Sequence, residues 1–236
     1  MKKQMYESHK IEQNSNWWFQ GRKEIVDSIL SRYIGKNKKL QILEIGTGYG
    51  IMTEMLKKYG IVEGIEPYKD AVDYTANTLD IKIYNGTLET YKNKKKYDVI
   101  ALFDVLEHIK NDDLAIKKIH KMLNKDGLIL LTVPAYKFLW SKHDDLNAHY
   151  RRYTKTQLKN KLNGFKIIKT SYFNTLLFPL ALLDKLIISK NKKTPALNPK
   201  PLLNTILYKT FKTERKLLNY ISFPFGVSLF VFAKKI

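Results

Sequence analysis

The segment LEIGTGYG, Leu43 to Gly50, constrains the fold more than any other part of this sequence. An apolar run ends in Glu44, and Gly46, Gly48 and Gly50 follow at alternate positions. Glycine lets the backbone adopt positive φ and lets another molecule approach the main chain, at a cost in conformational entropy. Three glycines at one strand-to-helix turn therefore predict a nucleotide-binding turn, in which free N–H groups of the helix start face the ligand.

Apolar runs alternate with helical stretches through the first two-thirds of the chain, which predicts a parallel sheet covered on both faces. The predicted strands are Gln41–Ile45, Ile61–Glu66, Ile81–Tyr84, Tyr97–Phe103, Gly127–Val133, Phe165–Tyr172 and Ser228–Ala233. The predicted helices between them are Ile51–Tyr59, Lys69–Asn77, Asp112–Leu123 and Lys155–Leu162. In such a sheet the ligand binds at the carboxyl ends of the strands, next to the glycine turn.

The chain divides into four predicted parts. Residues 1–35 form an aromatic and helical lid, and residues 36–173 form the core. Residues 174–226 are an insertion with an apolar stretch, the turn-rich segment KNKKTPALNPKP and a basic helix, and residues 227–236 supply a final core strand.

The charge balance favours an anionic partner. The 236 residues carry 42 Lys and Arg against 22 Asp and Glu, a net charge of +20. Nucleic acid, a phosphorylated substrate or an acidic membrane surface would each suit that charge, and a solvated lysine-rich surface is the alternative. The absence of cysteine excludes disulfides, thiolate zinc sites and a cysteine nucleophile. Because a polar segment follows Met1, we expect a cytoplasmic protein, with peripheral association at the inner membrane face left open.

The glycine pattern discriminates between nucleotide sites. A dinucleotide turn needs G-x-G-x-x-G, but Ile51 stands at the last position, and no G-K-[ST] follows for a phosphate-binding loop. The pattern E-x-G-x-G-x-G resembles the first motif of class I S-adenosylmethionine-dependent methyltransferases. Four further segments resemble later motifs of that family, in order and over residues 40–135: GIEP, NGTLE, YDVIALFDVLEHI and LNKDGLILLTVP.

The resemblance implies a Rossmann-like α/β fold with a mostly parallel seven-stranded sheet and an antiparallel last strand. It implies S-adenosyl-L-methionine as the cofactor, with Glu66 on the ribose hydroxyls and Phe103 to Val105 near the methionine part. Glu44 would orient the glycine turn, and NGTLE has Asn-Gly-Thr where the family often has an acidic residue. The implied cofactor residues are Glu44, Gly46, Thr47, Gly48, Gly50, Glu66, Pro67, Gly86, Thr87, Phe103, Asp104, Val105 and His108.

The segment NWWFQGRKEIV, Asn16 to Val26, has two interpretations. Its aromatic residues either staple the core or form a lid, with Trp18 near the acceptor and Arg22 reaching the methionine carboxylate. Together with LWSKHDDLNAHYRRYT and the late insertion, it resembles a bacterial and archaeal subgroup of the family. Those methyltransferases often belong to glycan, lipid-linked sugar or cell-surface polysaccharide pathways.

The loop VPAYKFLWSKHDDLNAHYRRYT, Val133 to Thr154, holds the predicted acceptor chemistry. Histidine titrates nearest neutral pH, so His143 or His149 is the candidate general base, oriented by Asp144 or Asp145. Arg151 and Arg152 could hold a phosphate or carboxylate in bidentate fashion. Tyr136 and Tyr153 are further substrate candidates, although Tyr153 could instead anchor the next helix. We expect no metal, with a His–Asp–His arrangement as the alternative.

The insertion leaves the acceptor open. Leu176–Ile188 is apolar but too short to span a membrane, and basic residues dominate the segment after it. It is either an interfacial device on anionic lipid or a helical cap over the sheet. We expect methyl transfer to a hydroxyl or amine of a small or lipid-linked, glycan-related and anionic acceptor. A nucleic-acid methyltransferase and a non-catalytic cofactor-binding module are the alternatives, the former disfavoured because no [DNS]-P-P-[FYW] motif follows the fourth strand.

Overall fold

The computed structural model describes residues 3–35, 39–187 and 199–236, so most of the predicted turn-rich segment lies outside the described residues. The strands are β1 (Leu40–Ile45), β2 (Gly60–Glu66), β3 (Lys82–Asn85), β4 (Tyr97–Phe103), β5 (Leu123–Pro134), β6 (Phe165–Phe173) and β7 (Ser228–Lys235). The helices are α1 (Lys3–Glu12), α2 (Trp17–Tyr33), α3 (Ile51–Leu56), α4 (Lys69–Leu79), α5 (Asp112–Met122), α6 (Lys142–Leu146), α7 (Lys155–Lys161), α8 (Phe178–Ile187) and α9 (Pro201–Leu218).

The strands form one seven-stranded sheet in the order β3-β2-β1-β4-β5-β7-β6. The neighbours from β3 through β5 are parallel, and β7 runs antiparallel to both β5 and β6. The predicted α/β, Rossmann-like fold with an antiparallel last strand is confirmed. The strand order reverses between β1 and β4, and a doubly wound sheet binds its ligand at such a point.

Both faces of the sheet are covered. The last four residues of β1, five consecutive residues of β4 and the first six residues of β7 are buried. Continuous apolar strands of this kind are typical of a sheet between two helical layers. The core thereby fixes the backbone positions from which the loops at the carboxyl edge project.

Two of the strand and helix boundaries predicted above differ from the structure by more than two residues. The helix predicted over Ile51–Tyr59 ends at Leu56, and the Tyr59 hydroxyl donates to Asp27 Oδ1 at 2.6 Å. The strand predicted from Gly127 starts at Leu123, which pairs with Tyr97 before a register shift. Both differences arise from long-range contacts that local periodicity does not contain.

The N-terminal segment and the insertion pack against each other. The ring of Trp18 stacks on Phe211 of α9 with a centroid distance of 5.3 Å and an interplanar angle of 6°. It also stacks on Phe173 of β6 at 6.2 Å, and Phe211 is fully buried. These contacts hold α2 and α9 over the carboxyl edge of the sheet. In the described ranges, no helix is both long and apolar enough to cross a bilayer.

Candidate cofactor and acceptor site

A cavity of 1410 Å³ lies at the carboxyl ends of the central strands. Its walls come from the glycine turn, the loops after β2 to β5, and the helices α1, α2, α8 and α9. The cavity is large enough for a nucleoside cofactor together with an acceptor, because ligand pockets typically hold about 300–1,000 Å³.

The glycine turn is tight on one side and open on the other. Gly46 has φ +79, and a Cβ there would lie 2.4 Å from Cγ2 of Val105. Gly48 has φ +50, and no heavy atom lies within 4 Å of its Cβ position. The turn therefore packs against the loop after β4 at Gly46, while Gly48 leaves space for a ligand against the main chain.

Glu66 at the end of β2 is buried and turned toward this turn. Its carboxylate accepts hydrogen bonds from the Gly48 N–H, the Tyr68 N–H and the Tyr6 hydroxyl, each at 2.9 Å. Burial raises the pKa of Glu66, while the Tyr68 and Gly48 N–H groups oppose that shift. The contact from Tyr6 ties α1 to the site and was not expected from the sequence.

Glu44 lies beneath the turn, is 1% exposed and accepts a hydrogen bond from the Thr53 hydroxyl. Burial raises the pKa of Glu44 to about 8, and the Thr53 hydrogen bond opposes the shift. Burial therefore favours the uncharged form of this carboxyl group. Because Thr53 belongs to α3, this bond links β1 to the helix after the glycine turn.

Arg22 of α2 lines the cavity and forms an ion pair with Asp104 in the loop after β4. Asp104 has φ +56 and also accepts from the Thr132 hydroxyl at 3.1 Å. The Arg22 Nε is buried and donates to no residue in the described part of the chain. Arg22 thus lines the cavity, but one side of its guanidinium is already paired.

These residues fit S-adenosylmethionine. Glu66 offers a carboxylate for vicinal hydroxyls, Gly48 offers open main chain, and the buried Thr47 hydroxyl has no hydrogen-bond partner among the described residues. Further predicted cofactor residues also line the cavity: Pro67, Gly86, Thr87, Phe103, Val105 and His108. Gly50 instead begins α3 and faces Thr75 and Leu79.

The acceptor loop supplies His143, His149 and Arg152 to the wall of the cavity that Trp18 also lines. Asp144 lies behind this wall: its Oδ1 is 2.9 Å from His149 Nδ1 and 2.7 Å from Arg152 Nε. Burial alone would raise the pKa of Asp144, but the His149 and Arg152 hydrogen bonds hold that pKa well below its usual range. Burial lowers the pKa of His143.

The structure does not bring Tyr136, Arg151 and Tyr153 to the cavity. Tyr136 stacks on Tyr172 at 4.9 Å, and Arg151 forms an ion pair with Asp112 at 2.6 Å. The Tyr153 hydroxyl is buried and donates to Asp112 at 2.8 Å. Adjacent arginines have different partners because successive side chains of extended backbone point to opposite sides.

Sequence reasoning missed Glu107, which lines the cavity and is fully buried. Neither oxygen of its carboxylate accepts a hydrogen bond from another residue in the described ranges. Burial raises the pKa of Glu107, and the neighbouring Asp104 adds to the shift. The signal was present in VLEHI as an acid within an apolar run.

The cavity is also lined by Trp17, Trp18 and Trp140, which are all three tryptophans of the sequence.

The fold and site define a class I S-adenosylmethionine-dependent methyltransferase. The profile of the family described as methyltransferase domain matches residues 18–169, more than half of the chain, and the chain belongs to this family. S-adenosylmethionine is its cofactor, as predicted.

Known proteins of several specificities resemble the chain. It is 32% identical over 100 residues to a ubiquinone biosynthesis O-methyltransferase of Pelagibacter ubique (strain HTCC1062), covering 40% of this chain and 42% of that protein. The chain thus spans less than half of the relative's length. The plantazolicin methyltransferase BpumL in complex with SAH has a TM-score of 0.61 and 17% identity, covering 99% and 90% of the two chains. Coclaurine N-methyltransferase bound to N-methylheliamine and SAH has a TM-score of 0.57 and 17% identity, covering 89% and 71%. At these identities the structural likeness shows the fold alone.

Proposed function

We propose that the protein transfers the methyl group of S-adenosylmethionine to a hydroxyl of a small lipid-linked acceptor. The observation that carries this proposal is the continuity of one cavity from the glycine turn to an apolar mouth between α8 and α9. The same cavity is lined by Gly48 and Glu66 at one end and by Leu180 and Leu203 at the other.

The mouth suits an acceptor with an apolar anchor. Leu180 and Leu203 are 55% and 49% exposed, and nearby Leu183 and Leu202 are 51% and 75% exposed. Exposed apolar patches are characteristic of protein or membrane contact sites, and α8 and α9 each carry two of these leucines. With a net charge of +20, the protein is suited to the surface of an anionic bilayer, where a lipid-linked acceptor would be found.

The histidines favour an oxygen acceptor. S-adenosylmethionine supplies a methyl group already activated by the sulfonium, so the protein must position the acceptor and remove its proton. Burial lowers the pKa of His143, and its ring is therefore neutral at pH 7 and able to take a proton. Arg152, held on Asp144, would place positive charge beside an anionic part of the acceptor. The Pelagibacter relative is named an O-methyltransferase, which supports oxygen as the atom that receives the methyl group.

The test uses tag-free protein, S-adenosylmethionine with a labelled methyl group, and the separated lipid and aqueous extracts of cells that express the chain. We expect label in the lipid extract that survives mild alkali, as a methyl ether does and a methyl ester does not. Label confined to aqueous metabolites or to RNA would contradict the proposal. Glu66→Ala and His143→Ala should both abolish labelling, but only Glu66→Ala should weaken cofactor binding.

The membrane contact is tested separately by flotation with vesicles of phosphatidylglycerol or of phosphatidylcholine. Leu183→Gln combined with Leu202→Gln should reduce flotation with the anionic vesicles, because it removes two exposed side chains beside the mouth. Leu114→Gln, at a residue 60% exposed on α5, is the matched control. Equal flotation of the unmodified protein, the double variant and Leu114→Gln would contradict binding of these leucines to a lipid surface.

A further inference from the structure

We propose that Glu107, His108 and His149 form a binding site for one divalent transition-metal cation. Each of the three side chains offers one ligand atom, and these atoms all lie within 4.8 Å of one another at the acceptor side of the cavity. The rings of His108 and His149 meet edge to face with a centroid distance of 4.6 Å. Two imidazoles and one carboxylate are a donor set that suits zinc and iron-group cations.

Of the carboxylates around the cluster, that of Glu107 has no ion pair among the described residues. Asp104 is paired with Arg22, and Asp144 is paired with Arg152. Glu107 is 0% exposed, and neither of its carboxylate oxygens accepts a hydrogen bond from another of the described residues. A buried, unpaired carboxylate is costly, and buried charges are normally paired or coordinate a metal. A cation at this position would supply the missing partner.

The surroundings also orient the two histidines as metal ligands are oriented. His149 Nδ1 lies 2.9 Å from Asp144 Oδ1, which directs the opposite ring nitrogen, Nε2, away from that carboxylate. The backbone of Asn147 and Ala148 interacts with the His108 ring. Metal-binding histidines typically use their second nitrogen on a carboxylate or a backbone carbonyl in this way. An ammonium group could also neutralise Glu107, but it would not require two imidazoles with fixed rings.

A cation at this site would bind and polarise the oxygen of an acceptor hydroxyl, and the proton would then pass to His143 more readily. This catalytic role rests on the proposed function. Cation binding itself does not, because it can be measured without acceptor or cofactor. Failure of the methyl-transfer test and failure of the metal test are therefore separate results.

The experiment uses the tag-free protein after treatment with a chelator and dialysis. Isothermal titration with Zn²⁺, and the visible absorption of the Co²⁺-loaded protein, measure stoichiometry and ligand type. We expect one cation per chain and Co²⁺ bands of a nitrogen–oxygen site. Glu107→Gln and His108→Ala should each weaken the binding by more than about 100-fold, because they remove a ligand, and Asp144→Asn by about 10- to 100-fold.

His120→Ala is the matched control, because His120 packs on Phe165 at 5.1 Å and does not line the cavity. A second measurement separates loss of a ligand from loss of the fold. Glu107→Gln should leave the melting temperature of metal-free protein close to that of the unmodified protein, because neither oxygen of Glu107 has a partner to lose, whereas Zn²⁺ should raise the melting temperature of the unmodified protein and not that of this variant. Absence of a stoichiometric site, or equal binding by the Glu107→Gln and His120→Ala variants, would overturn the inference.

Discussion

Substitution of Glu66 is the sharpest test of the cofactor site. The carboxylate ends β2 and is 2% exposed, and we expect it to accept from two vicinal ribose hydroxyls, one of them in place of the Tyr6 hydroxyl. A hydrogen bond to a charged group contributes about 1.5 kcal/mol or more, so two such bonds contribute about 3 kcal/mol. Glu66→Ala should therefore raise the Kd for S-adenosylmethionine by roughly 100-fold.

Calorimetric titration with SAH, which cannot transfer a methyl group, measures this change without turnover. Glu63→Ala is the matched control on the same strand, because Glu63 pairs with Lys95 and Tyr97 and does not line the cavity. Since burial raises the pKa of Glu66, acidification should weaken SAH binding at a higher pH than an exposed glutamate would predict. An affinity within about threefold of the unmodified protein would refute the ribose assignment, since it corresponds to under 1 kcal/mol.

Four further substitutions test other parts of the argument. Gly48→Ala should abolish SAH binding, because a methyl group would occupy the space that the cofactor needs, and should lower the melting temperature only modestly through its positive φ. Gly46→Ala should lower the melting temperature further, because its Cβ would also meet Val105 at 2.4 Å. Phe211→Ala should reduce the free energy of unfolding, measured by urea denaturation, by about 3–5 kcal/mol, because the ring is fully buried between α2 and the sheet. A loss below about 1 kcal/mol would contradict that packing. Asp144→Asn should lower the free energy of unfolding at pH 7. The difference in this free energy from the unmodified protein should shrink as the pH falls through 3.8 and below, because an aspartate with a depressed pKa stabilises the fold only while it is ionised. A difference independent of pH would contradict the ion pair.

The sequence predicted the sheet well because each strand is a short apolar run ended by a turn, and such runs report burial directly. The cofactor edge was equally predictable, since the glycine turn and Glu66 follow successive strands whose carboxyl ends meet at one edge. The differing partners of Arg151 and Arg152 were not predictable, because they depend on the direction in which an irregular loop presents each side chain. Tyr6 was missed because its role arises only from a tertiary contact with Glu66, whereas Glu107 did carry a sequence signal, as an acid within the apolar run VLEHI.

The position of the three tryptophans gives the protein a natural optical probe. Since Trp17, Trp18 and Trp140 all line the cavity, its entire tryptophan emission originates from the walls of the site. Trp17 and Trp18 report the side formed by α2, and Trp140 reports the loop that carries the histidines. Replacing Trp140 with phenylalanine would leave a signal from the α2 side alone. Filling of the two halves of the cavity can then be timed separately in a stopped-flow fluorimeter, with no dye attached.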